Sequence, residues 1–144
     1  MGLDMMLYMK RRIGDSPGDE RLFSVIQNSI TNNKYIDHSA IEIKYCVGYW
    51  RKCYSIDQWL SIKSNKYIDG SGDGEISLAD LHDLKDICIE ILKDKSKSKD
   101  LLPQISGDND EGYMYSIMET IRILNNILSE PNLFGVKFFY KSSW

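Results

Sequence analysis

Asp69, Ser71, Asp73, Glu75, Ser77 and Asp80 stand at positions 1, 3, 5, 7, 9 and 12 of a stretch that also places Gly74 at position 6 and Ile76 at position 8. That spacing is the layout of an EF-hand calcium loop. Asp69, Ser71 and Asp73 would present side-chain oxygens from alternate positions. Glu75 would offer its backbone carbonyl, Ser77 would ligate directly or through water, and Asp80 would close the site from the first turn of the next helix. Asp80 is one methylene shorter than the usual bidentate Glu, Gly70 and Gly72 loosen the loop, and EF-hands normally come in pairs. The same residues also read without metal. Gly70, Gly72 and Gly74 then form a connector, and Ser77 caps a helix with Asp80 three residues on. Calcium is the one cofactor the residues suggest, and no other is expected.

Tyr49, Trp50, Arg51 and Lys52 combine two aromatics with two cations. One reading is a binding edge, with rings for stacking and cations for phosphate or carboxylate. The other places Tyr49 and Trp50 in the core at a strand-to-helix junction, and leaves Arg51 and Lys52 solvated or paired with Asp57 or Glu42. No GxSxG, P-loop, HExxH or CxxC is present. His82 and Asp83 are neighbours on an expected helix and so point about 100° apart, which is no catalytic dyad. A non-enzymatic protein is the expectation.

Composition narrows the partners. The chain has 144 residues, 42% apolar and 27% charged, with net charge −3. That suits one domain with a sizeable core, no membrane span and no general affinity for nucleic acid. Lys93, Lys95, Lys97 and Lys99 alternate with Asp94, Ser96, Ser98 and Asp100, the pattern of a solvated loop. The first residues lack the long apolar run of a signal peptide. Cys46, Cys53 and Cys88 make an odd count and suggest free thiols in a reducing compartment.

The elements that must position these residues follow from periodicity. Leu3, Met5, Leu7 and Met9 alternate with polar or exposed neighbours, as do Ile41, Ile43, Tyr45 and Val47, and 136–140 reads as a last strand. Gly48 ends the second strand in this reading, and a helical stripe begins at Tyr49 and runs through Cys53, Ile56 and Leu60 to about residue 64. A helix over 20–31, a third through Leu81, Leu84, Cys88, Ile91 and Leu92, and a fourth carrying Met114, Ile117, Met118, Ile121, Leu124 and Leu128 complete the set. Asp108 with Glu111 is the expected cap of that fourth helix. Leu101-Leu102-Pro103 should pack inward, and Trp144 should dock. The predicted architecture is α+β, a small three-stranded antiparallel sheet packed against three to four helices.

Several blocks together carry a resemblance. They are Met1-Gly2-Leu3-Asp4-Met5 with Leu7-Tyr8, then Tyr49-Trp50-Arg51-Lys52 with a helix ending in Trp59-Leu60. Leu101-Leu102-Pro103, Asp110-Glu111 with Tyr113, and Tyr140 with Ser142-Ser143-Trp144 complete them. The chain resembles a group of small proteins encoded by phages and prophages. The resemblance implies an accessory protein in the bacterial host cytoplasm that binds or inhibits a host or defence protein, or holds a small signalling nucleotide. It brings no catalytic residue. Met6 stands where that group has an aromatic, and Asp57 where it has His. The group's counterpart of 69–80 is less like an EF-hand.

Overall fold

The computed structural model describes residues 2–14, 18–30, 41–64, 73–133 and 135–143, excepting the side chains of Phe23 and of residues 27–30. Asp69, Ser71 and Trp144 lie outside these residues. In chain order the elements are β1 (Asp4–Arg12), α1 (Asp19–Ile30), β2 (Glu42–Arg51), α2 (Tyr54–Lys63), β3 (Gly74–Ile76), α3 (Leu78–Lys93), a 3-10 turn (Lys95–Lys97), α4 (Ser98–Leu101), α5 (Asp110–Leu128) and β4 (Lys137–Ser143). The four strands form one antiparallel sheet in the order β2-β1-β4-β3.

The α+β class is as predicted, but the sheet has four strands rather than three, and the described helices number five. The extra strand, β3, is only three residues long and pairs with β4 through Gly74↔Tyr140, Glu75↔Phe139 and Ile76↔Phe138. It falls inside the glycine-rich stretch, where no period-2 run is long enough to announce it. Gly74 is required there by close approach: a Cβ would lie 2.4 Å from the Ser64 carbonyl oxygen.

β2 also runs further than expected. Leu7 pairs with Gly48 and Tyr8 with Cys46, so Val47 is an extra residue in the ladder. This is a β-bulge, which breaks the alternation without ending the strand. Beyond it Trp50 points into the core and Tyr49 and Arg51 point away. Gly48 sits where α5 presses on the bulge, and a Cβ there would meet the Ile123 side chain at 2.8 Å. The chain then turns through Lys52 at φ 56° to enter α2.

One face of the sheet is covered; the other, the open face, contributes no side chain to the core cluster among the described residues, and its Tyr8, Lys10 and Phe139 are half-buried. Leu3, Met5, Leu7, Trp50, Ile76, Phe138 and Tyr140 share a single cluster with Ile56 and Leu60 of α2, Leu81, Leu84, Cys88 and Ile91 of α3, and Ile117 and Leu124 of α5. Each such side chain contributes about 1.5–3 kcal/mol by leaving water. Ser77 caps α3 by accepting the Asp80 amide at 3.0 Å. On α5 the cap is Asn109, which accepts the Gly112 amide at 2.7 Å; Asp108 instead accepts from the Ser55 hydroxyl at 2.6 Å.

The buried stripe of α5 is rotated from the expected one. It comprises Tyr113, Ser116, Ile117, Thr120, Ile123, Leu124 and Ile127, while Met118 is 58% exposed. Hydrogen bonds account for the polar members. Trp50 Nε1 donates to Thr120 Oγ1 at 3.0 Å, and Tyr113 donates to the Leu102 carbonyl at 2.6 Å. Of the Leu101-Leu102-Pro103 triplet, only Leu102 is buried. The lysine–serine run is not a loop throughout: it forms the 3-10 turn and the start of α4, with all its lysines exposed.

Candidate functional site: the open face of the sheet

Period-2 strands that bury Leu3, Met5 and Leu7 must aim Met6, Tyr8 and Lys10 the other way. The same rule aims Lys44, Cys46 and Tyr49 from β2, and Lys137, Phe139 and Lys141 from β4. The register brings these residues into rows. Lys10 stands opposite Lys44 on one side and Lys137 on the other. Tyr8 stands opposite Cys46 and Phe139, and Met6 opposite Tyr49 and Lys141. A row of three lysines therefore crosses three adjacent strands, beside a row holding two rings.

The lysines lean over the rings. Lys10 Nζ lies 4.3 Å from the centroid of Phe139, and Lys44 Nζ lies 4.1 Å from that of Tyr8. Lys44 Nζ also reaches Asp73 Oδ2 at 3.5 Å, and Lys141 Nζ reaches Asp73 Oδ1 at 3.9 Å. Lys137 Nζ lies 3.8 Å from Glu75 Oε1. At one end of the face a hollow of about 260 Å³ is lined by Lys10, Arg11, Arg12, Glu42, Gly135, Lys137 and Phe139. Among the described residues of its wall, cations outnumber carboxylates four to one.

Arg11 has a fixed partner. Its guanidinium grips Asp19 through Nη1 at 2.7 Å and Nη2 at 2.8 Å, and Nε donates to the Tyr45 hydroxyl at 3.0 Å. The Asp19 hydrogen bonds hold the Arg11 charge more firmly than usual, pushing its pKa upward. Asp19 also accepts the Gly14 amide at 2.9 Å, so this pair ties the first turn of α1 to the end of β1. Lys10, Arg12 and Lys137 are the cations in the hollow without such a two-point clamp.

The Tyr49–Lys52 block is divided by the strand. Trp50 is 2% exposed and belongs to the core. Tyr49 is on the open face, and its hydroxyl donates to Asp4 Oδ1 at 2.6 Å; that bond raises the phenol's pKa. Arg51 Nε is 4.0 Å from the same Asp4 oxygen, and Lys52 is exposed in the left-handed turn. The expected partners of Arg51 are engaged elsewhere. Asp57 is buried and accepts from Tyr140 and from Ser61, and Glu42 lies 3.9 Å from Arg12.

Of the calcium-loop residues, Asp73 and Glu75 meet lysines of the open face, as described. Ser77 and Asp80 are engaged in the α3 cap, with Asp80 Oδ1 also 3.5 Å from Lys63 Nζ. These partners correspond to the metal-free reading of Ser77 and Asp80. Among the described residues, no group of three or more His, Cys, Asp or Glu side chains is placed to hold a metal ion. His82 and Asp83 are both exposed on α3. Cys53 and Cys88 are buried free thiols, and Cys46 is exposed on the open face. Among the described residues, no helix is long and apolar enough to cross a membrane.

Sequence reasoning missed Tyr8, Lys10, Lys44, Lys137, Phe139 and Lys141 as a group. Each occupies the non-core position of its own strand, which is legible; their convergence depends on pairing between segments far apart in the chain. Comparison with protein-family models, with curated proteins and with solved structures returned no match.

Proposed function

We propose that this protein is a non-catalytic binder and that the open sheet face takes an anionic ligand carrying a flat ring, a small nucleotide. The observation that carries this reading is the lysine row Lys137–Lys10–Lys44 beside the rings of Phe139 and Tyr8. Like charges directly opposite one another on neighbouring strands are destabilising on their own. A phosphate placed among them converts that repulsion into charge-assisted hydrogen bonds. The rings beside the row offer stacking surfaces for a base. The hollow at Lys10, Arg12 and Lys137, about 260 Å³, lies near the small end of the range of ligand pockets. In the phage setting implied by the resemblance, the ligand would be a host signalling nucleotide and the protein would act by holding it.

The test is calorimetric titration of the whole protein with adenosine nucleotides at low and high salt. Binding is expected at low salt, weakening as salt rises, and lost in Lys10→Glu with Lys137→Glu while the melting temperature stays native. Absence of binding by the parent protein to any nucleotide at low salt would overturn the reading.

A second reading is favoured by Tyr115 and Met118, which stand 62% and 58% exposed one turn apart on α5. They would be the contact for a host or defence protein.

A further inference from the structure

The open face is built as two similar units, and we infer that its ligand carries two bases joined by a phosphate. This rests on the nucleotide reading above and specifies the ligand. The first unit is Phe139 with Lys10 over its ring, backed by Lys137. The second is Tyr8 with Lys44 over its ring, backed by Lys141 through Asp73. Tyr8 and Phe139 are direct partners across the β1–β4 ladder. Directly opposed residues on antiparallel strands have Cα atoms about 5 Å apart, so the two rings are neighbours on this face and two bases that share a phosphodiester can meet one ring each.

Each ring is covered by an ammonium, so a base can stack only if the lysine moves aside. An anion supplies that movement, because it draws the same lysine to itself. Stacking and charge pairing are thereby coupled within each unit. A lone phosphate gains the charge but no stacking, and a neutral base must displace a cation without return. A mononucleotide satisfies one unit. A dinucleotide satisfies both, and its linking phosphate falls between Lys10 and Lys44, which are themselves direct partners across β1 and β2.

Asp73 marks the second anion position. Its two carboxylate oxygens face Lys44 Nζ at 3.5 Å and Lys141 Nζ at 3.9 Å. A carboxylate from the protein sits where the ligand's second phosphate charge would be held, and must yield to it. Asp73 is therefore a built-in competitor for the Tyr8 unit, whereas the Phe139 unit has Glu75 only against Lys137.

The experiment compares adenosine monophosphate, linear diadenylate, cyclic diadenylate and a short single-stranded oligoadenylate on the full chain. The expected result is that a diadenylate binds at least about tenfold more tightly than the monophosphate, as one added stacked base provides. Tyr8→Leu should remove that advantage, so that a diadenylate binds this variant no more tightly than the monophosphate does, with native melting as the control. Asp73→Asn should tighten diadenylate binding. The linear, cyclic and oligomeric arms identify the source of the two-base unit: a free dinucleotide if a diadenylate matches or exceeds the oligomer per site, a single strand if the oligomer binds more tightly. Equal affinity for monophosphate and both diadenylates, or a diadenylate advantage that survives Tyr8→Leu, would overturn the two-unit inference while the nucleotide reading stands. No binding of any of the four would overturn both.

Discussion

On the helix-covered face of the sheet, Trp50 donates to Thr120 and Tyr140 to Asp57, and the apolar residues around them are fully buried. On the open face of the same strands, Lys10 faces Lys44 and Lys137, and Tyr8 and Phe139 have ammonium groups for neighbours. Adjacent residues of one strand thus serve opposite purposes. The covered face is satisfied within the chain. The open face holds a like-charge row, of which Lys44 and Lys137 also meet Asp73 and Glu75. Tyr49-Trp50-Arg51 contains this contrast in three consecutive residues, with only the middle one in the core.

The largest effect should come from charging the covered face. Ile117 is 0% exposed against the sheet side of α5. Ile117→Asp places an unpaired carboxylate there, costing several kcal/mol against a total stability of about 5–15 kcal/mol. The expected outcome is loss of the cooperative melting transition. A soluble variant that melts like the parent would show that this side of α5 is not a core surface.

Next is the buried polar pair. Tyr140→Phe keeps the ring packed but takes the hydroxyl donor from Asp57, leaving Ser61 at 3.4 Å to the same oxygen. A buried acceptor stripped of a donor costs about 1–3 kcal/mol. Denaturant midpoints compared at equal slope measure it. A change below a few tenths of a kcal/mol would mean that the carboxylate reaches water.

These two faces differ in how far they could be read from sequence. The covered face follows from alternation and helical stripes, which placed β1, α3 and the class correctly. It failed where a local event reset the phase. The Val47 bulge made Gly48 look like a strand end and moved Tyr49 onto an imagined helix. Tyr113 and Thr120 were overlooked on α5 because a stripe drawn from apolar residues omits polar groups that find partners in the core. The open face was less legible. Lys10, Lys44 and Lys137 meet only through strand register, and no local pattern states which residue of β2 or β4 will stand opposite Lys10.

A smaller effect distinguishes the faces by pH. Burial pushes the Cys88 thiol from 9.0 up to about 12, and burial raises Tyr113 from 10.0 to about 12. The unfolded chain therefore loses the Cys88 proton first as pH rises. The native state then binds more protons than the unfolded state, so stability falls with rising pH from about 9, at about 1 kcal/mol per unit for each such group. Cys88→Ala should cost stability at neutral pH, but its gap to the parent should narrow as pH rises from about 9 towards about 12. A constant gap would place the thiol in contact with water.

The smallest effect is expected from Lys10→Met, and its sign is the informative part. Lys10 is the middle of the lysine row, so its removal relieves repulsion from both Lys44 and Lys137. Against this stands the loss of its contact over Phe139, at about 0.5–1 kcal/mol for a partly exposed pair. Methionine retains apolar contact with the ring, so the two terms nearly cancel and stability should change by less than about 0.5 kcal/mol. Salt separates the terms. Added salt screens the row and should stabilise the parent, with a weaker response in Lys10→Met because one charge of three is gone. Denaturation at low and high salt reads both quantities. A loss above about 1 kcal/mol with an unchanged salt response would show that Lys10 is held for the ring beneath it. The row would then be a packing feature of the sheet, and the open face would resemble the covered one in being satisfied from within.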